Sequence, residues 1–305
     1  MAKIKIVEVG PRDGLQNEKQ FIDIDVRVEF IKKLVSAGCL NVEVGAFVSP
    51  DKIPQMVGSD EVLKSLNKIF SNRKSKKITF PVLVPNERGM LDAIQAGANE
   101  VAVFAAASDS FSKANINCTT EESFERFEPV IKLAKKHKIK DRGYLSTCFY
   151  CPFEGKIKSQ KVSKLAKQLI AMGCYEVSIG DTIGAADPKE VKTLIQGLKR
   201  SVPVRQIAMH FHDTRGTALA NILESVKLGI TTFDSSLGGL GGCPYAKGAT
   251  GNVATEDVLY MMRGLDIETG VDLDAVVDIG QWISHHIGHK SSSRAGNAIA
   301  ARKAA

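Results

Sequence analysis

The chain has 305 residues, of which 44% are hydrophobic and 25% are charged, a balance typical of a globular protein and unlike that of a disordered one. It contains no apolar run of about 18 residues, so we expect no membrane span. Lysine and arginine outnumber aspartate and glutamate by 41 to 34, which gives a formal net charge of +7.

The positive charge is concentrated in short runs at residues 73–77, 132–140 and 290–303. Runs of this kind usually form solvated helix faces. Aromatic residues do not alternate with them, so the pattern disfavours nucleic-acid binding. A small polyanion such as a nucleotide would suit the charge balance equally well.

Segments rich in valine, isoleucine and phenylalanine recur along the chain. Most of them are apolar on both faces, as the strands of a buried parallel sheet must be. We predict strands at residues 4–8, 41–47, 78–84, 100–106, 143–149, 176–181, 207–212 and 232–237.

Helical patterns separate these strands. The clearest is residues 25–37 (DVRVEFIKKLVSA), in which apolar residues recur at three- and four-residue spacing before Gly38. Further helices are predicted to begin near Ser59, Glu87, Glu121, Ser159, Pro188, Gly216, Thr255 and Leu273.

Eight strands with intervening helices in about 250 residues is the composition of a (β/α)8 TIM barrel. An open doubly wound sheet is the alternative, but no G-x-G-x-x-G follows the first strand. Without a linker or a second core, we predict one domain over residues 1–305. The barrel would span about 3–265 and a helical extension about 266–290, while the composition of the tail, 291–305, is compatible with disorder.

The six cysteines are too few and too scattered to form a disulfide scaffold. Cys148 and Cys151 form a C-x-x-C pair, but no second pair or H-x-H follows at zinc-ribbon spacing, so a structural role is favoured over a metal site. The N-terminal residues MAKIKIVEVG lack the apolar core of a signal peptide. We therefore expect a cytoplasmic location.

Charged side chains cluster where predicted strands end, which is where barrel enzymes place their active sites. They are Arg12 and Asp13 after the first strand, Glu43 in the second, Asp181 at the end of the sixth, and His210 and His212 in the seventh.

His210 and His212 are two residues apart on a predicted strand, so both imidazoles should face the barrel interior. Two hydrogen-bonded core histidines are one interpretation. With Asp13 at the same mouth, a metal site is favoured. Imidazole and oxygen ligands without a thiolate suit Mg²⁺ or Mn²⁺ better than structural zinc.

Arg12 carries a planar, permanently charged group that can meet a carboxylate or an enolate. A salt bridge to Asp13 or to a neighbouring carboxylate is the simpler interpretation. Glu43 lies among valines, where an unpaired charge would be costly, so we expect it to orient Arg12 or a metal-bound water. Asp181 could serve the same purpose or be a helix N-cap before the following turn.

A glycine-rich segment follows the eighth strand (SLGGLGGCPYAKGATGNVATED, residues 236–257). Its glycines permit a loop that closes over the barrel mouth. The segment carries Cys243, Lys247 and Asn252, and a thiol near a metal and cations could be reactive. A purely structural loop with an incidental cysteine is the alternative.

These motifs resemble the 3-hydroxy-3-methylglutaryl-CoA lyase family of barrel metallolyases. The resemblance extends from VGPRDGLQNE to ATGNVATED, and GGLGGCPYAKGATGN matches the family's cysteine-containing signature. The resemblance implies a set of site residues. The implied ligands of Mg²⁺ or Mn²⁺ are Asp13, His210, His212 and Asn252, the implied catalytic groups include Arg12 and Cys243, and the supporting residues are Gln16, Glu43, Asp181 and Lys247.

The implied reaction is a retro-Claisen cleavage of an acyl-CoA, in which a tertiary hydroxyl loses its proton and a thioester enolate departs. Asp13 and His210 are both candidates for the base. Arg12 would meet the enolate oxygen, and Cys243 could help to protonate the carbanion. The resemblance also implies a homodimer.

Two rival functions share some of these features. Condensing synthases of the isopropylmalate or homocitrate type share Arg-Asp and H-x-H, but they lack the cysteine loop and usually carry a further C-terminal region. A non-catalytic basic binding protein would leave Asp13, His210 and His212 unexplained. Within the lyases, a longer branched 3-hydroxyglutaryl-CoA is an alternative substrate.

Overall fold

The computed structural model describes residues 3–71, 78–242 and 251–304. Within these ranges the strands are β1 (Lys5–Glu8), β2 (Gly45–Ala46), β3 (Val82–Leu83), β4 (Glu100–Ala106), β5 (Lys140–Ser146), β6 (Tyr150–Cys151), β7 (Gly155–Lys156), β8 (Glu176–Asp181), β9 (Ile207–Phe211) and β10 (Thr232–Ser235). Eight of them form one parallel sheet in the spatial order β1-β10-β9-β8-β5-β4-β3-β2. The other two, β6 and β7, form a separate antiparallel hairpin.

The two edges of the eight-stranded sheet meet, so the sheet closes into a barrel. The segment that leads into β2 lies beside β1, where Val42 forms a parallel bridge with Glu8. The Glu8 amide donates to the carbonyl of Asn41 and the Glu43 amide donates to the carbonyl of Glu8, both at 2.9 Å. The predicted (β/α)8 barrel is confirmed.

Helices surround the barrel and continue beyond it. They are α1 (Ile24–Ser36), α2 (Ser59–Phe70), α3 (Glu87–Gln95), α4 (Asp109–Ile116), α5 (Thr120–His137), α6 (Ser159–Met172), α7 (Pro188–Leu198), α8 (Ala218–Lys227), α9 (Thr255–Gly264), α10 (Leu273–Ile287) and α11 (Arg294–Ala304). Among the described residues, none of these helices has the length and apolar character needed to cross a membrane.

Local sequence explains several helix ends. At the start of α5, the Thr119 hydroxyl accepts the Glu122 amide at 3.1 Å and the Glu122 carboxylate accepts the Thr119 amide at 2.7 Å. Asp187 and Glu190 form the same capping box at the start of α7. Each box satisfies amide groups that a helix leaves without partners in its first turn.

The start of β5 differs from the prediction, because the strand begins at Lys140 rather than at residue 143. The predicted strand excluded the charged residues Asp141 and Arg142. Arg142 is instead only 1% exposed, and it lies between the carboxylates of Glu176 and Asp234, at 3.0 and 2.7 Å. Ion pairs inside the barrel therefore permit a charged residue in a buried strand.

The C-terminal residues form α11, where the tail composition was compatible with disorder. The carboxylate of Asp257 accepts the Ser293 hydroxyl at 2.8 Å and the Ala295 amide at 2.7 Å. The Ser293 hydroxyl oxygen in turn accepts the Gly296 amide at 2.9 Å. These bonds satisfy the first turn of the helix, which composition alone could not reveal.

The C-x-x-C pair lies in the core. Cys148 and Cys151 are 1% and 3% exposed, and burial raises the pKa of Cys148 above its ordinary value. The Cys148 thiol donates to the carbonyl of Leu145 at 2.9 Å. These contacts agree with the structural role that was favoured for the pair.

Asp141 is a buried carboxyl group that should make the stability of the fold depend on pH. Its side chain is buried at the N-terminal end of β5, and neither carboxylate oxygen has a hydrogen-bond partner among the described residues. Burial raises the pKa of Asp141 from 3.8 to about 7. Between pH 3.8 and about 7, the Asp141 carboxyl keeps its proton in the folded state and loses it in the unfolded state. The free energy of unfolding should therefore fall as the pH rises towards 7.

We expect Asp141→Asn to reduce this pH dependence and to raise the free energy of unfolding at pH 8 by about 1–3 kcal/mol, because the uncompensated charge is gone. Urea unfolding at pH 5 and pH 8 measures the effect. Asp92→Asn, at an exposed position on α3, is the control and should change neither value. An unchanged pH dependence in Asp141→Asn would contradict the assignment.

Candidate active site

Five of the residues singled out in the sequence line one cavity at the carboxyl ends of the strands. The cavity has a volume of about 340 Å³. The five are Arg12, Asp13, Gln16, His210 and His212. These residues follow β1 or belong to the region of β9, far apart in the chain. Pairing of β1 with β10, and of β10 with β9, brings them together.

Asp13, His210 and His212 form a cluster in which one ligand atom from each residue lies within 4.8 Å of the others. His210 is in β9 and His212 follows its end, and the two imidazole centroids are 5.3 Å apart. Asp13 reaches the cluster from a short π-helical turn, Gly10–Gly14. The shared face predicted from the two-residue spacing of the histidines is therefore present in the structure.

Close packing holds the turn that carries Arg12 and Asp13. The carbonyl of Val9 accepts both the Arg12 and the Gly14 amides at 3.2 Å. A Cβ atom at Gly14 would lie 2.8 Å from the Cβ of Leu240, in the glycine-rich segment. Glycine at this position therefore allows the turn and that segment to approach each other.

The protonation states in the cluster suit a cation. Burial, together with neighbouring His210, lowers the pKa of His212 to about 3, so this imidazole is neutral at pH 7. Its Nδ1 atom is buried and has no hydrogen-bond partner among the described residues. Burial would raise the pKa of Asp13, but Arg12 and His210 lower it below its ordinary value. A neutral imidazole beside an ionised carboxylate fits a divalent metal.

Arg12 is held between two carboxylates. Its Nε and Nη2 atoms contact Glu43 Oε2 at 2.8 and 2.7 Å, and its Nη1 atom contacts Asp13 Oδ1 at 2.8 Å. Burial would lower the pKa of Arg12, but Glu43 and Asp13 outweigh burial and raise it. The guanidinium is thus both the partner of Asp13 and a fixed cation on the cavity wall.

The predicted supporting residues have different positions. Gln16 lines the cavity, and Glu43 contacts Arg12 from below it. Asp181 is fully buried, and its two oxygens accept the amides of Ala185 and Ala186 at 3.0 Å. The helix N-cap considered for Asp181 is wrong, because Asp187 is the N-cap of α7. Asp181 instead holds the turn between β8 and α7.

Asn252 lies beside the cluster, because it pairs with His212 in an antiparallel bridge. Its Nδ2 atom donates to Asp13 Oδ2 at 2.7 Å and to the carbonyl of Leu240 at 3.1 Å. An ion would need the carboxamide oxygen on this side instead. Cys243 and Lys247 lie outside the described residues.

Sequence reasoning missed several residues of the site. Tyr144 and Ser178 line the cavity, and the ring of Tyr144 lies between the guanidinium groups of Arg12 and Arg142, at 5.6 and 4.9 Å. Asp234 contacts His210 at 3.3 Å. The available signal was a charged residue within a predicted buried strand, which indicates an interior partner.

Residues 3–283 match the HMGL-like protein family. The chain belongs to this family. It is 51% identical to the hydroxymethylglutaryl-CoA lyase of Pseudomonas mevalonii, over 100% of this chain and 99% of that one. It is 50% identical, over 98% of both chains, to a 3-hydroxy-3-isohexenylglutaryl-CoA/hydroxymethylglutaryl-CoA lyase of Pseudomonas aeruginosa. The crystal structure of the hydroxymethylglutaryl-CoA lyase from Pseudomonas aeruginosa matches with a TM-score of 0.93 at 50% identity, covering 98% of each chain.

The comparisons confirm the resemblance inferred from the sequence. Membership of the HMGL-like family implies a divalent metal, and Asp13, His210 and His212 form a cluster that could hold it. The same three side chains line the cavity, so a bound ion would face it.

The contacts of Glu43 predict a large stability effect. We expect Glu43→Ala to lower the free energy of unfolding by about 3 kcal/mol or more, because it leaves the buried Arg12 cation without its main partner. Glu29→Ala is the matched control, since it removes a half-exposed ion pair with Lys32 and should cost less than about 1 kcal/mol. Urea unfolding of both variants measures the difference, and equal effects would contradict this account of Glu43.

Proposed function

We propose that the chain cleaves 3-hydroxy-3-methylglutaryl-CoA into acetyl-CoA and acetoacetate. The observation that carries this proposal is the 51% identity, from end to end, with a hydroxymethylglutaryl-CoA lyase. The cavity supports it, since a carboxylate, two imidazoles and a guanidinium converge there. This is the set of groups that a retro-Claisen cleavage requires: acceptors for a proton and a donor for a developing enolate.

We further propose Mg²⁺ or Mn²⁺ as the metal, with Asp13, His210, His212 and Asn252 as its ligands. When bound, such an ion would orient the substrate and lower the pKa of its tertiary hydroxyl. Oxygen and imidazole donors without a thiolate support this choice. Ligation by Asn252 would require its carboxamide to rotate, which would exchange its bond to Asp13 for one to the ion.

The chain's own residues account for the movement of protons and charge. Asp13 or His210 accepts the proton of the tertiary hydroxyl. The bond between C2 and C3 of the acyl group then breaks, the alkoxide becomes the ketone of acetoacetate, and the electron pair passes to the thioester as an enolate. Arg12 stabilises the enolate oxygen, and it needs no reorganisation because Glu43 already holds it in place.

The enolate must gain a proton to become acetyl-CoA. We assign this step to Cys243, on the glycine-rich segment that follows β10. Closure of the segment over the cavity would also exclude water from the reacting carbons. Lys247 would add a cation for the acyl-CoA. Gln16 would contact the substrate from the cavity wall, and Asp181 would hold the turn after β8.

A longer branched acyl group is a second candidate substrate. One relative at 50% identity is named for 3-hydroxy-3-isohexenylglutaryl-CoA as well as for the methyl compound. Apolar side chains also line the cavity, among them Leu83, Phe104, Phe111 and Phe127. The ratio of the kcat/KM values for the two acyl-CoA substrates decides between them.

The assembly and location of the protein are also proposals. We propose a single-domain homodimer in the cytoplasm that binds no nucleic acid. Sedimentation equilibrium measures the oligomeric state. A monomer at micromolar concentration would contradict the dimer.

The activity itself is tested directly. Purified protein with 3-hydroxy-3-methylglutaryl-CoA and Mg²⁺ should release acetoacetate and acetyl-CoA in equal amounts, as measured by chromatography. Treatment with EDTA should abolish release, and added Mg²⁺ or Mn²⁺ should restore it, because the hydroxyl is not acidic enough without the ion. Full activity after metal removal would overturn the metal-dependent mechanism.

Two substitutions test the roles of individual side chains. Arg12→Ala should lower kcat by about 100- to 1,000-fold through loss of the enolate donor, and Cys243→Ser should lower it by about 100-fold through loss of the proton donor. Arg88→Ala, at an exposed position on α3, should leave kcat unchanged. Near-normal turnover in a folded Arg12 or Cys243 variant would rule out the role assigned to that residue.

A further inference from the structure

A buried carboxylate lies directly behind His210. Asp234 is in β10, which pairs in parallel with β9, and the register places Asp234 opposite His210. One oxygen of Asp234, Oδ2, is 3.3 Å from Nδ1 of His210. Asp234 is 2% exposed, so water does not compete for this contact.

This contact determines which nitrogen of His210 carries a proton. An ionised carboxylate can only accept hydrogen bonds, so Nδ1 must hold the hydrogen. In the neutral imidazole, Nε2 is then bare and is the nitrogen that can act as a ligand. In metal sites generally, a carboxylate behind a histidine sets the tautomer and the ring orientation in this way.

Two further groups fix Asp234 itself. Arg142 donates to Oδ1 at 2.7 Å and to Oδ2 at 3.3 Å, and the Ser178 hydroxyl donates to Oδ2 at 2.6 Å. Arg142 also contacts Glu176 at 3.0 Å, and Glu176 contacts Lys5 at 2.9 Å. The carboxylate is therefore ionised and held on the side away from the cavity, with little freedom to turn.

We propose that Asp234, locked by Arg142 and Ser178, is a positioning residue that holds His210 in the Nδ1-protonated tautomer and so prepares Nε2 for the metal. The inference rests on the proposed metal-dependent function, because it concerns the same ion. It assigns to this buried network a purpose beyond stabilising the barrel. With Nδ1 protonated and Nε2 on the ion, His210 has no free lone pair, so of the two candidate bases the inference leaves Asp13.

The variant Asp234→Asn distinguishes control of the His210 tautomer from stabilisation of the barrel. Arg142 donates its shortest bond to Oδ1, so the asparagine would place its oxygen there and its NH₂ group at the Oδ2 position. That NH₂ group would donate to Nδ1 of His210 and move the ring proton to Nε2. The shape of the site is kept, but the ligand nitrogen is blocked.

The test uses the whole metal-free protein and Mn²⁺ alone, with the free ion followed by electron paramagnetic resonance. Asp234→Asn should weaken Mn²⁺ binding by about 10- to 100-fold. Long-range ¹H–¹⁵N correlation spectra of the histidine rings, with His210 assigned from His210→Gln, should show the proton on Nδ1 in the natural protein and on Nε2 in the variant.

Glu176→Gln is the matched control, since Glu176 contacts the same Arg142 but not His210. It should lower the thermal midpoint while leaving the Mn²⁺ dissociation constant within about threefold and the tautomer unchanged. An Asp234→Asn protein that is folded, binds Mn²⁺ as tightly as the natural protein and keeps the proton on Nδ1 would overturn the inference. Equal weakening by Glu176→Gln would also overturn it.

Both readouts are made without substrate, so failure of the cleavage assay would count against the proposed reaction and not against Asp234. If the natural protein bound no Mn²⁺, the metal site and the role of Asp234 would both be wrong.

Discussion

Closure of the barrel between β1 and the segment before β2 is the constraint on which the site depends. The Glu43 amide donates to the carbonyl of Glu8, and this bond places the Glu43 side chain beneath the turn that follows β1. Glu43 can then hold Arg12, and Arg12 holds Asp13. A backbone hydrogen bond thus determines where one cation and one carboxylate of the site lie.

Glu8 connects the same turn to the glycine-rich segment. Its Oε1 atom accepts the amides of Gly10 at 2.9 Å and Leu237 at 2.8 Å, and its Oε2 atom accepts the Thr255 hydroxyl at 2.6 Å. Burial raises the pKa of Glu8 to about 7. The C-terminal residues reinforce this region, since the Ser292 amide donates to the carbonyl of Gly238 at 2.9 Å. The base of the segment is therefore held from two other parts of the chain, the end of β1 and the residues before α11.

The interior of the barrel contains alternating charges instead of an entirely apolar core. Lys5, Glu176, Arg142 and Asp234 form a continuous series of contacts that ends at His210. Such a series is costly to bury, because every charge needs a partner in a region of low dielectric. Asp234, the last charged residue of the series, contacts the candidate metal ligand His210. The series therefore has a chemical role in addition to a structural one.

The sequence by itself determined the barrel, its eight strands and five residues of the cavity, because alternating apolar segments and polar strand ends are local patterns. It also indicated the family through one contiguous motif. It did not indicate the β6–β7 hairpin or α4. Only the tertiary structure decided that Asp181 holds the turn after β8, that the C-terminal residues form a helix, and that Asp234, Arg142 and Ser178 lie behind His210. Those features depend on contacts between strands distant in the chain, where a charged residue looks unfavourable until its partner is known.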